Sequence, residues 1–125
     1  MAGLSVVPQV LDLALYAGDG IRIRFTCKDK AGAPVDITGT VKAQIRVERL
    51  AEDPALTEFS SNLVDAYQGI VILSLTGEQT QDLLEAPAAK GGKFVGVWDV
   101  QWTPNGSEPY TLCQGKVDCV SDVTR

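Results

Sequence analysis

The sequence predicts an all-β chain folded as a two-layer antiparallel sandwich, and three stretches carry that prediction. From Ile21 to Lys28, Ile21, Ile23, Phe25 and Cys27 alternate with Arg22, Arg24, Thr26 and Lys28. From Thr40 to Glu48, Val41, Ala43, Ile45 and Val47 alternate with Lys42, Gln44, Arg46 and Glu48. From Phe94 to Trp102, Phe94, Gly96, Trp98, Val100 and Trp102 share one side. A period of two with one apolar side is the pattern of a strand that covers a core on one face and meets water on the other.

The remaining elements follow in chain order. A first strand is predicted over Val10 to Tyr16, and the turn Ala17-Gly-Asp-Gly20 is expected to join it to Ile21–Lys28 as a hairpin, since glycines supply tight-turn geometry. After the turn around Gly32 and Pro34 comes the alternating strand over Thr40 to Glu48. Arg49 to Asn62 is less regular: Leu50 to Pro54 reads as a loop and Leu56 to Ser60 as a short strand or edge. Gly69 to Leu75 is β-branched and apolar on both sides, which predicts a central or doubly covered strand.

Thr76 and Gln79 have capping-box spacing, so a short helix is expected through Leu84, ending before Pro87. The small, flexible stretch Ala86 to Gly92 leads into the aromatic strand. Pro104-Asn-Gly106 marks a hairpin that returns through Tyr110 to Val120. About seven antiparallel strands with one short helix suit an immunoglobulin-like β-sandwich over residues 10–125, preceded by an N-terminal arm over 1–9; a small barrel is the second choice.

The chain has 125 residues, 45% hydrophobic and 22% charged, enough for one domain with a sizeable core. Its formal charge of −5, with basic residues mostly scattered, argues against a nucleic-acid partner. Arg22, Arg24 and Lys28 do share a strand face, a pattern that also serves as solvated surface or as protection against edge pairing. No stretch approaches the roughly 20 apolar residues of a membrane helix. The first fifteen residues lack the basic start of a signal peptide, so synthesis and first folding in a cytosol are expected.

Candidate chemistry is sparse. The sequence has no histidine, which removes the Ser-His-Asp and Cys-His nucleophile systems and the commonest metal ligand. Cys27, Cys113 and Cys119 match neither a zinc nor a CxxC spacing and read as small buried hydrophobes, although a bridge from Cys27 to one of the other two is compatible with a sandwich. Asp12, Asp19, Asp36 and Asp99 are the carboxylates from which an acid–base pair would be drawn, and nothing singles out two of them. Asp19 and Asp36 are explained as turn residues, and Asp99 as the outward residue of its strand. Trp98 is expected in the core; Trp102, at the end of its strand, is expected half exposed and available for a protein contact.

Several segments together resemble a family of small bacteriophage virion proteins related to the immunoglobulin-like N-terminal domain of phage baseplate upper proteins. They are Leu13-Ala-Leu-Tyr-Ala-Gly-Asp-Gly-Ile-Arg-Ile-Arg-Phe-Thr26, the loop Asp29-Lys-Ala-Gly-Ala-Pro-Val-Asp-Ile-Thr-Gly39 and the strand Val41-Lys-Ala-Gln-Ile-Arg46. The late hairpin adds Gly92-Lys-Phe-Val-Gly-Val-Trp-Asp-Val-Gln101 and Gln114 to Arg125. The resemblance implies a non-enzymatic virion structural protein without cofactor, associated with tail or baseplate. It would be made in the host cytoplasm and assembled as a homo-oligomer with other virion proteins. Capsid decoration is the alternative within structural proteins, and a carbohydrate-binding host-adhesion module is the alternative from another class. Contact residues are expected in the irregular segment (Glu52, Leu56, Phe59), in the 86–93 loop (Lys90, Lys93) and at Trp102, with the arm over 1–9 lying on a neighbouring subunit.

Overall fold

Two sheets packed on one core are the consequence of these alternating patterns. A computed structural model of the chain describes residues 9–29, 31–47, 55–86, 89–105 and 108–121. The strands are β1 (Gln9–Val10), β2 (Leu13–Tyr16), β3 (Ile21–Thr26), β4 (Gly39–Arg46), β5 (Thr57–Glu58), β6 (Ser60–Asp65), β7 (Ile70–Leu75), β8 (Lys93–Pro104) and β9 (Tyr110–Val120). A 3₁₀ turn over Ala66–Gln68 precedes β7, and helix α1 (Gly77–Glu85) links β7 to β8.

The larger sheet runs β1-β9-β8-β4-β5, with β2 also beside β9, and the smaller runs β3-β7-β6. β3, β7 and β6 thus occupy the places of B, E and D in an immunoglobulin-type sandwich, and β4, β8 and β9 those of C, F and G. The expected all-β sandwich with one short helix is observed, with nine strands among the described residues where about seven were expected. β1 and β2 lie parallel to β9, whereas the other pairings are antiparallel.

Most of the predicted inward residues form the core, while Ile21 and Ile23 are half-buried and Val47, just past the end of β4, is exposed. Phe25, Cys27, Val41, Ala43, Ile45, Phe94, Trp98, Val100 and Trp102 are all buried, joined by Val71, Leu73 and Leu75 from β7 and by Leu83 from α1. β7 is central in its sheet, as its apolar composition predicts, while its outward residues Ile70 and Ile72 remain half-buried. In β9 the alternation slips once. A bulge opposite Val100 and Gln101 lets consecutive Leu112 and Cys113 both face inward.

Three expectations need correction. The glycine turn after Tyr16 does not close a hairpin: β2 pairs with β9 in one sheet and β3 with β7 in the other, so the turn carries the chain across the sandwich. Turn residues specify a reversal, but the strands' partners are chosen by the rest of the core. The first strand is interrupted at Leu11 and Asp12, where the Asp12 carboxylate accepts from the Lys116 backbone N–H at 2.9 Å. The irregular segment contains two short strands, β5 and β6, that pass from one sheet to the other around buried Phe59. β5 falls within the short strand expected over Leu56 to Ser60, whereas the polar, alternation-poor sequence of β6 hid it.

Candidate functional site

The six contact residues expected from the sequence do not converge. Lys93 opens β8 and Trp102 lies nine residues further along it, a separation of about 30 Å at strand rise. Lys90 and Lys93 bracket a tight turn in which Gly91 and Gly92 take φ of 60° and 75°, and the two lysine backbones bond each other at 2.9 and 3.1 Å. Both side chains are exposed. Lys93 Nζ stands 4.0 Å from an Asp118 carboxylate oxygen, each side chain more than half exposed, a pairing worth little in water.

Leu56 is 37% exposed, at the entry to β5, where its N–H donates to the Ile45 carbonyl. Glu52 and the arm over 1–8 lie outside the described residues, whereas Gln9 is paired with Cys113. Phe59 and Trp102, by contrast, are internal. Phe59 is 3% exposed and packs on Trp98 with ring centres 5.5 Å apart. Trp102, expected half exposed, is 4% exposed; its indole N–H donates to the Thr38 carbonyl at 3.1 Å and its ring lies against Tyr110. Its alternation with Trp98 and Val100, together with a polar partner for the N–H, decides the side it takes.

Neither indole presents a ring face for sugar stacking. Trp98 is 2% exposed, and its N–H donates to the Leu11 carbonyl at 2.7 Å. A cleft among the described residues, lined by Gln44, Arg46, Val97, Trp98 and Asp99, has a volume of about 10 Å³, room for no more than about one water.

The three thiols are free and buried. Loss of solvation pushes Cys113 up to about 11, and burial raises Cys27 and Cys119 as well, so all three are held as thiols rather than as nucleophilic thiolates. The Asp36 carboxyl is held below its ordinary pKa. The Thr38 hydroxyl donates to it at 2.5 Å and the Thr38 N–H at 2.9 Å, and these bonds lower its pKa. Among the described residues no three Cys, Asp or Glu side chains gather as a metal site.

What the surface does offer is edges and scattered apolar side chains. On the outer face of the larger sheet, Tyr16 is 54% and Val95 52% exposed, and Tyr67, beside β6, is 75% exposed. Among the described residues the smaller sheet ends at β3, which carries Arg22 and Arg24 outward. Alternation identified the two arginines as outward; the sequence could not say that their strand ends the sheet. The chain matches no known protein family, and a search of curated proteins finds no relative.

Proposed function

We infer that the chain is a non-enzymatic structural protein of a bacteriophage virion, associated with tail or baseplate, that works by repeated protein–protein contact in a symmetric assembly. The observation that carries this reading is the disposition of its chemistry. Polar and thiol groups serve turns, caps and core, the cleft is of water size, and the unspent features are sheet edges and exposed apolar residues. Such a molecule acts through its outside. Edges offer main-chain pairing to a neighbour, and a symmetric assembly repeats one patch around an axis. The setting comes from the resemblance of the loop and strand patterns to those of phage baseplate proteins.

Gold labelling of intact source particles with an antibody to the chain, viewed by electron microscopy, tests the proposal. Label at the tail end is the expected result. Label over the head would replace the tail assignment with capsid decoration, and particles free of label and of peptides from this chain would overturn the virion reading.

A further inference from the structure

The open edge of β3 combines three features. The first is its main-chain polarity. Cys27 N–H donates to the Gly69 carbonyl at 2.8 Å, and the register continues with Phe25 opposite Val71, Ile23 opposite Leu73 and Ile21 opposite Leu75. In an antiparallel ladder, residues of that parity exchange bonds with the partner, so the N–H and C=O groups of Arg22, Arg24 and Thr26 point away from β7 to the vacant side. No described strand pairs there.

The second feature is charge. Arg22 and Arg24 are exposed on the outer face, with Lys28 continuing the alternation. Their neighbours across the sheet on β7 are Ser74 and Ile72, and beyond these Ser60 and Asn62 on β6, none of them acidic. Asp65 lies in the next row, opposite Ile70, and its carboxylate accepts from the Gln68 N–H. A chain of formal charge −5 thus carries a short cationic row along one open strand. The third feature is the inner side of β3, where Ile21 and Ile23 are only half-buried and Phe25 is closed in.

We propose that this edge binds an extended acidic segment of a partner protein, added as an antiparallel strand beside β3. Its carboxylates, at every second residue, face Arg22 and Arg24, and its intervening apolar residues cover Ile21 and Ile23. Two other occupants fit worse. A second copy paired antiparallel through β3 would set cations against cations on the same face, which is destabilising. The chain's own first eight residues, Met1 to Pro8, contain no acid to meet the arginines. The proposal rests on the assembly reading for its setting, and names the chemistry of one partner within it.

The test uses the purified full chain, a synthetic peptide alternating Glu with Val, and the same peptide with Lys in place of Glu. Binding is followed by calorimetry and by amide hydrogen exchange. The expected result is binding of the acidic peptide alone, with slowed exchange at Arg22, Arg24 and Thr26. Affinity should fall roughly tenfold in the double variant Arg22→Ala/Arg24→Ala, as loss of two cross-strand charge pairs implies, and high salt should weaken binding by the unsubstituted chain more than by the variant. Equal binding of the two peptides, no binding, or protection at other strands would overturn the proposal. So would protection of the same amides in the free chain, whether it is lost on deleting Met1 to Pro8 or grows with chain concentration. Particle labelling reads the virion setting separately, so either idea can fail without the other.

Discussion

At Gly115 the interruption of the N-terminal strand and the packing of Trp98 meet. Gly115 lies opposite Trp98 in the β8–β9 ladder, and a Cβ built there would stand 1.9 Å from the Leu11 carbonyl oxygen, the same oxygen that accepts from the Trp98 indole. Backbone cannot yield as a side-chain tip does, so Gly115→Ala is expected to cost about 1–3 kcal/mol in urea unfolding, in the range of core overpacking. Gly91→Ala is the control: with φ at 60° and nothing within 4 Å of a new Cβ, it should cost only the left-handed backbone penalty of about 1–2 kcal/mol. The thiols give a pH prediction on the same scale. Cys113 releases its proton near 9 in the unfolded chain and near 11 when folded, so between those values the unfolded state holds fewer protons and stability falls as pH rises. Unfolding midpoints measured from pH 8 to 11 should decline, and Cys113→Ala should flatten that decline.

Among the elements, α1 was the most legible, because its start is written in four consecutive residues. The Thr76 hydroxyl accepts from the Gln79 N–H at 3.1 Å and the Gln79 side chain accepts from the Thr76 N–H at 2.8 Å, the capping box the spacing implied. The same Gln79 amide also donates to Thr57 Oγ1 and to the Glu58 carbonyl, tying the helix to β5, and no local pattern announces that reach. Thr76→Ala should therefore cost about 1 kcal/mol, the usual loss of a cap. Gln79→Ala should cost more than Thr76→Ala, a ranking that thermal unfolding of the two variants will check. β5 and β6 stand at the other extreme. Six of their eight residues are polar, and β6 buries none of its residues, so β5 reads only as a short strand or edge and β6 is not separated from a loop by period or composition. They are strands because the edge of β4 and the side of β7 offer them partners, with Phe59 N–H donating to the Ala43 carbonyl at the crossing between sheets.

For the molecule as a whole, one buried cluster draws on both sheets and on α1, and the chain crosses between sheets at Gly18, between β3 and β4, at Phe59 and through α1. Thr80, fully buried on α1, accepts from the Gly18 N–H and donates to the Asp19 carbonyl, which pins the first crossing to the helix. Elements tied in this way should unfold together. Tryptophan fluorescence and far-ultraviolet circular dichroism are expected to give coincident urea transitions, and Leu73→Ala, which opens a cavity at a fully buried position, should move both by the same amount, about 2–5 kcal/mol. Transitions that separate would show instead that the β3-β7-β6 sheet melts on its own.

Inside and outside along β3, β4 and β8, the caps of α1 and the burial of all three cysteines were determined by the sequence alone, because alternation and capping are set by residues within one turn or one strand of each other. The pairing of β2 with β9 rather than β3, the burial of Phe59, the full closure over Trp102, and the place of β3 at the end of its sheet among the described residues were decided only by the tertiary structure. Each depends on which strands lie side by side, and that choice belongs to the energy of the whole core, so residues distant in the chain settle it together.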